Sequence, residues 1–365
     1  MNDMNAAHGA EDVQPETAIE FTGTWREYLP IALTNLLLTV VTLGIYRFWA
    51  KARERRYLWS RTRFIDEHLE WTGTGKEMFV GFLIVFLILL PVFYLANTFI
   101  QGLVLRGETR EAGLLFFVLY GLVFYLIGVA RFRALRYRLS RTWWHGIRGG
   151  SADGGWAFGW NYVWKSLAGS MVLGLLIPWA MTSLWNDRWN RMSFGQHQFE
   201  AAADTEGLFA RWLLVYLVPV VGFFILIAAA GSVGSMITEG AQPGPGFLVA
   251  MVLGVIGFYA AFLLVSLSYY AAYYREVALA TSIAGIRFEF DARTRDWLKL
   301  ILGNIALIII TLGVGALFLG YRNWAFAVRH MEAGGEIHLD TLTQSTTRAP
   351  GDAEGLADAF DIGAF

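Results

Sequence analysis

Apolar residues fall along this chain in long blocks separated by short, strongly polar arms, not at the period of a soluble helix or strand. Five blocks, 78–100, 113–130, 208–230, 247–267 and 298–319, approach the roughly 20 apolar residues that cross a hydrocarbon core about 30 Å thick. Two more, 28–46 and 162–181, have similar length but are interrupted by polar residues. A soluble core hides one such run, not seven. The pattern predicts an all-α polytopic membrane protein.

The arms between the blocks repeat. Glu20-Phe21-Thr22-Gly23-Thr24-Trp25-Arg26-Glu27 matches Glu70-Trp71-Thr72-Gly73-Thr74-Gly75-Lys76-Glu77, and each leads into an apolar run. Arg56-Tyr57-Leu58-Trp59-Ser60-Arg61-Thr62 shares Arg-Tyr and Ser-Arg-Thr, in register, with Arg136-Tyr137-Arg138-Leu139-Ser140-Arg141-Thr142. Weaker copies align Gly44, Trp49 and Trp59 with Gly174, Trp179 and Trp189, and Asn35 and Gly44 with Asn304 and Gly313. The expected fold is thus a helical bundle with internal repeats, re-entrant or interfacial helices and short cytoplasmic β-strands. Segments 64–73, 196–203 and 286–291 are the candidate strands, pairing antiparallel in a small sheet.

Composition sharpens the reading. Charged residues make up 16% of the chain, against about 25% in soluble domains. Cysteine is absent, which removes disulfides, thiolate metal sites and cysteine nucleophiles. Residues 1–17 carry neither a basic n-region nor an apolar h-region, so no cleavable signal peptide is expected. They and the acidic tail 341–365 are expected to be disordered, leaving a membrane domain over 18–340. Trp25, Trp49, Trp59, Trp71, Trp143, Trp144, Trp156, Trp160, Trp185, Trp189 and Trp324 sit beside apolar runs, which suits anchoring at the headgroup level.

Asn35-Leu36-Leu37-Leu38-Thr39, Thr42-Leu43-Gly44-Ile45-Tyr46 and Trp49-Ala50-Lys51-Ala52-Arg53 carry a family resemblance. It continues through Arg56-Tyr57, Thr62, Trp71-Thr72-Gly73-Thr74 and Gly81-Phe82. At these residues the chain resembles the YjgN-like bacterial inner-membrane proteins, a family without an assigned activity. The resemblance implies a multi-pass protein of the inner (plasma) membrane and brings no catalytic residue or cofactor with it. Pro178 departs from the pattern, falling where an Ile-Tyr step is expected.

Charge places the arms. The stretch 47–77 holds eight Lys and Arg and 131–161 holds six, so both belong on the cytoplasmic side. Loop 101–112 holds Arg106 and Arg110, and loop 232–246 holds no Lys or Arg. If 28–46, 162–181 and 298–319 re-enter, with breaks at Gly44, Pro178 and Gly313, then 27 of 29 Lys and Arg share one side. If they cross, the seven segments form an inverted three-plus-three repeat with one extra. The same-side arrangement is the working expectation.

Asn35, Lys165 and Asn304 occupy one repeat position within apolar segments. Such groups point to a polar pathway or ligand site, or simply to hydrogen bonds between helices and a snorkelling lysine. Arg47, Lys51, Arg53, Arg55, Arg56, Arg61 and Arg63, with Arg136 and Arg141, form basic juxtamembrane arms suited to anionic phospholipid or to fixing topology. The six histidines show no metal-ligand spacing, and the glycine-rich 146–155 lacks the Gly-Lys-Ser/Thr of a phosphate loop, reading instead as a flexible cytoplasmic connector. No metal, cofactor, catalytic motif or nucleic-acid partner is expected. Two functions remain: transport or permeation of a small solute or lipid, and a membrane scaffold whose basic arms hold anionic lipid or a protein partner.

Overall fold

The computed structural model describes residues 18–238, 240, 244–335, 343–347 and 351. The chain begins with strand β1 (Ile19–Phe21), and Thr24 then caps helix α1 (Trp25–Val41), its hydroxyl oxygen accepting the Glu27 amide at 3.4 Å. The Thr-Gly-Thr copy at 72–74 does the same for helix α3 (Gly75–Leu105), where Thr74 accepts the Glu77 amide at 3.3 Å. Both middle glycines are required by close approach. A Cβ on Gly23 would stand 2.5 Å from the Phe21 ring, and one on Gly73 2.7 Å from the Trp71 ring.

Segment 28–46 does not cross. Helix α1 ends in a turn, and helix α2 (Arg47–Ser60) runs back to strand β2 (Thr62–Phe64), which pairs antiparallel with β1 through Phe21↔Thr62. The turn is made by Leu43 and Gly44 at φ 51° and 91°. The Gly44 amide reaches back to the Thr39 carbonyl at 2.7 Å, closing the helix end in a left-handed cap. Thr42 then accepts the Tyr46 amide at 2.9 Å and starts the return.

The same bend occurs twice more. Helices α5 (Trp156–Met171) and α6 (Ile177–Trp189) meet at Leu173 and Gly174, φ 51° and 79°. Helix α9 (Thr294–Ile310) turns at Leu312 and Gly313, φ 50° and 95°, into a 3-10 turn (Val314–Phe318) and helix α10 (Leu319–Arg329). Pro178 is not itself the break. It sits in the first turn of α6, where its missing N–H costs nothing. At the tips, Leu43 and Leu312 are each 93% exposed, so these turns present bare apolar side chains to their surroundings.

Four helices, among the described residues, are long and apolar enough to span a membrane: α3, α4 (Thr109–Arg141), α7 (Leu208–Thr238) and α8 (Pro245–Leu279). Seven apolar segments thus resolve into four candidate spans and three helix-turn-helix returns. At about 1.5 Å per residue the spans exceed the roughly 30 Å core, and their apolar side chains face outward almost uncovered by protein. That surface fits lipid.

The strands amount to far more than short isolated pieces. After β2 come β3 (Glu67–His68), β4 (Glu70–Trp71), β5 (Thr142–Trp144), β6 (Ile147–Gly150), β7 (Ser193–Phe194), β8 (His197–Ala201), β9 (Thr281–Ile283), β10 (Ile286–Phe290) and β11 (Met331–Gly334). Strands β1 to β3 form one sheet, and β4 to β11 form an eight-stranded antiparallel sheet in sequence order. Expected strands 64–73, 196–203 and 286–291 are present but do not pair directly. Strands β5, β6 and β7 lie between the first two and β9 between the last two, joined by tight turns such as His145-Gly146 (φ 50° and 67°) and Ala284-Gly285 (φ 50° and 86°).

Two further expectations are corrected. The glycine-rich connector is strand β6: a Cβ on Gly149 would meet the Leu139 Cβ at 2.9 Å, so glycine lets helix α4 lie against the sheet. The tryptophans are not uniformly interface anchors. Trp25, Trp156 and Trp160 are exposed, but Trp59, Trp71 and Trp144 are buried. Trp59 stacks on Trp324 at 4.2 Å, and its indole N–H donates to Thr142 at 2.9 Å. Trp324 donates to Thr62 at 2.9 Å, and Trp185 to Thr281 at 3.1 Å, so threonines ending helices tie distant units together. Of the tail expected to be disordered, residues 343–347 lie beside β6, Gln344 donating to the Gly146 carbonyl at 2.8 Å. Residues 1–17 and the rest of that tail lie outside the described residues.

Candidate functional site

The three polar residues of the apolar segments are each held within their own helical hairpin. Asn35 donates to the Ala50 carbonyl at 3.2 Å and accepts from Arg53 at 3.2 Å. Asn304 accepts from Arg322 at 2.6 Å and donates to Asn323 at 3.1 Å. Lys165 donates to Ser183 Oγ at 2.6 Å and to Asp187 at 2.5 Å. In every case the partner lies on the returning helix, across the hairpin. The structure does not gather the three at one point.

The basic arm is laced to carboxylates and rings of the same chain. Arg61 pairs with Glu27 at 3.2 Å, Arg63 with Glu20 at 3.0 Å, Lys51 with Glu54 at 3.3 Å and Arg141 with Glu77 at 3.0 Å. Tyr57 donates to the Thr24 carbonyl at 2.9 Å and also reaches Glu27 at 3.3 Å; burial, then the Glu27 charge, pushes its hydroxyl up to about 12. Arg55 is buried with its guanidinium 5.0 Å from the Trp71 ring centre. Arg136 donates to the Asp153 carbonyl at 2.6 Å. Arg56 points outward, and Arg47 lies over Phe48 at 5.9 Å. The arm is a folded helix edge, partly neutralised, not a loose basic tether.

Behind the sheet lies a chamber of about 660 Å³, within the roughly 300–1,000 Å³ of small-molecule sites. Strands β1, β2, β5, β7, β8, β9, β10 and β11 and helices α2, α4, α6, α8, α9 and α10 contribute to its wall, which is almost wholly apolar and rich in indoles: Trp59, Trp144, Trp185, Trp189, Trp297 and Trp324. Asn304 and Asn323 reach its edge, whereas Asn35 and Lys165 are not among its lining residues.

The chamber's polar groups were not singled out from sequence. Arg188, with Trp185 and Trp189 at i−3 and i+1, presents a mixed aromatic and cationic face. It is 6% exposed, forms no hydrogen bond or ion pair with the described residues, and rests 5.5 Å from the Trp185 ring centre. Burial, and secondarily Arg131, lowers its pKa to about 10, which leaves it a cation at neutral pH. Trp189 Nε1, Trp297 Nε1 and His197 Nε2 also lack partners among the described residues. An aromatic pair flanking an arginine at helical spacing was the available signal, but such a triplet is common where helices leave a membrane. No cluster of metal-ligating side chains occurs among the described residues.

The comparisons with known proteins agree with this architecture. A family model described as "Bacterial protein of unknown function (DUF898)" matches residues 16–359. The inner membrane protein YjgN of Salmonella typhimurium strain LT2 is 31% identical over 147 residues, 40% of this chain and 34% of its own length. The inner membrane protein YjgN of Escherichia coli strain K12 is 26% identical over 237 residues, 56% of each chain. The chain thus matches only part of each relative's length. No solved structure matches. A family match running across nearly the whole chain, over a bundle with four candidate spans, places this protein in the DUF898 family, whose curated relatives are inner membrane proteins.

Proposed function

We propose that this inner-membrane protein takes a lipid or other amphiphile into the chamber behind its sheet, in the service of lipid transport or permeation. The observation that carries the reading is the chamber itself: about 660 Å³ of apolar, indole-lined space beside a bundle of lipid-facing helices. Removing an acyl chain from water into such a space is favourable by about 25 cal/mol per Å² of apolar surface buried. The three re-entrant hairpins and the duplicated Thr-Gly-Thr arms suit a scaffold built by internal repetition around one site. Asn304 is the member of the expected polar pathway that this reading retains, because it stands at the chamber's edge.

The scaffold alternative finds less support. Arg61, Arg63, Lys51 and Arg141 are engaged by carboxylates of the same chain, which weakens the attraction left for anionic lipid. Under this reading the sheet and chamber face the cytoplasm, because the positive-inside rule favours that side for the basic arms.

The test uses the indoles as reporters. Protein purified in an uncharged detergent is titrated with an acyl chain brominated near its end, which quenches tryptophan on contact. Saturable quenching, reduced by Ala278→Trp to fill the chamber, supports the reading. Quenching that rises linearly with probe, as for partition into the micelle, removes it.

A further inference from the structure

The chamber that the proposed function rests on has an unusual electrostatic wall. Arg138, Arg188 and His197 line it, and no Asp or Glu is among the lining residues. Arg188 is the critical member. Its side chain is more than nine-tenths buried, among rings, with no carboxylate within ion-pair distance among the described residues. A guanidinium cannot discard its proton to escape such a site. Buried charges in proteins are otherwise paired or hydrogen-bonded. Lys165, on the other helix of the same hairpin, obeys that rule through Asp187. Around Arg188 are the face of Trp185, the Tyr273 and Tyr274 side chains and the like charge of Arg131, none of them an anion at neutral pH.

The other open groups agree in sign. Trp189 Nε1 and Trp297 Nε1 are donors only, and neither meets an acceptor among the described residues. His197 Nε2 is a donor in one tautomer and in the protonated ring. A wall that offers a fixed cation set in apolar surface is complementary to an oxyanion carrying a hydrocarbon chain. An uncharged lipid tail alone would leave all of these groups unsatisfied.

We infer that the chamber's ligand is an anionic amphiphile, a carboxylate or phosphate bearing an acyl chain, whose headgroup is held by the Arg188 guanidinium. This rests on the chamber reading above and adds the charge of the ligand. Guanidinium binds both oxyanions by paired N–H···O bonds, so the chemistry common to carboxylate and phosphate is what the site selects.

The experiment is a competition on the full chain in uncharged detergent. An uncharged brominated alkanol is challenged in turn with dodecanoate, dodecyl phosphate, dodecanol, dodecyltrimethylammonium and inorganic phosphate. The two anionic amphiphiles are expected to displace it at concentrations about tenfold or more below dodecanol, from the strength of charge-assisted hydrogen bonds. The trimethylammonium compound should be weakest, and inorganic phosphate should not compete. The better of the two anions identifies the headgroup. Arg188→Gln should abolish the anion preference while dodecanol still binds, and Arg188→Lys should keep part of it. Equal displacement by dodecanol and dodecanoate in the unaltered protein overturns the inference, even if the Arg188 variants fail to fold. Competition by inorganic phosphate alone overturns its amphiphile half. If the brominated alkanol itself never binds saturably, the chamber reading fails first, and that result is distinct from either.

Discussion

Removing Asp187 isolates what holds the second re-entrant hairpin closed. Lys165 leaves only 8% of its side chain exposed, and its ammonium meets Asp187 at 2.5 Å and Ser183 Oγ at 2.6 Å. Taking one partner from a fully buried pair costs about 3–5 kcal/mol, because the other charge is left stranded. Asp187 is 28% exposed, so water screens part of the interaction. The expected loss for Asp187→Ala is therefore smaller, about 2–3 kcal/mol. The reverse change is milder. Lys165→Met leaves an apolar chain in an apolar setting, and Asp187 keeps its bond from Asn161 at 3.0 Å and its access to water. That variant should lose about 1 kcal/mol. The double variant should resemble Lys165→Met alone, giving a coupling of about 2 kcal/mol. Equilibrium unfolding in mixed uncharged and ionic detergent, followed by tryptophan fluorescence, measures all four corners of the cycle. Single losses that add to within about 0.5 kcal/mol would refute the reasoning. The hairpin would then be held by its packing, and the polar pair would be incidental.

Other consequences are equally direct. Gly44→Val and Gly313→Val should each destabilise by about 1–2 kcal/mol, since a Cβ there meets no neighbour but the backbone is left-handed; Gly44→Asn should cost less, and equal losses would put the cause elsewhere. Trp59→Phe should cost about 1–2 kcal/mol by removing the donor to Thr142, with little loss on adding Thr142→Val. Burial works against Asp153, but the Gly155 amide and the Arg191 and Arg136 charges hold its carboxyl below the usual carboxylate range. Its contribution to stability is thus fully present above about pH 4 and is lost as pH falls through the lowered folded value. The melting-temperature gap between the native protein and Asp153→Asn should close on acidification below about pH 4, and a constant gap would count against this. Cysteines at Ser60 and Gln196, both exposed on the sheet side, should stay protected from an impermeant thiol reagent in intact cells, while Glu108→Cys should label. Labelling at Gln196 but not Ser60 would restore the inverted arrangement.

Hydropathy read the four spans well because their lipid-facing surface is apolar on every side, and no tertiary partner alters that pattern. It ran straight through the three re-entrant turns for a related reason. Leu43, Leu173 and Leu312 stand at the bends, so the bends are as apolar as the helices they join. Only the following glycine marked them, and Gly44 and Gly313 were noticed on that account. The sheet was half legible. Strands of two to five residues give too little alternation to register, and β5, β7 and β9 read as continuations of the basic arms. The chamber was the least accessible, because strands and helices from one end of the chain to the other meet in it. Arg188 is exceptional only by what is missing around it. A sequence does not display an absent counter-charge.

The strand pairs impose a parity rule on the chain. Every helical hairpin, whether a short return such as α1–α2 or a long pair such as α3–α4, is flanked by strands that pair with one another: β1 with β2, β4 with β5, β6 with β7, β8 with β9 and β10 with β11. Entry and exit are fastened side by side, so each hairpin adds zero to the count of net crossings. A return lengthened until it spans, or a span shortened until it only dips, leaves every later segment facing as before. Orientation is decided once for the whole molecule, and depth is free to vary hairpin by hairpin.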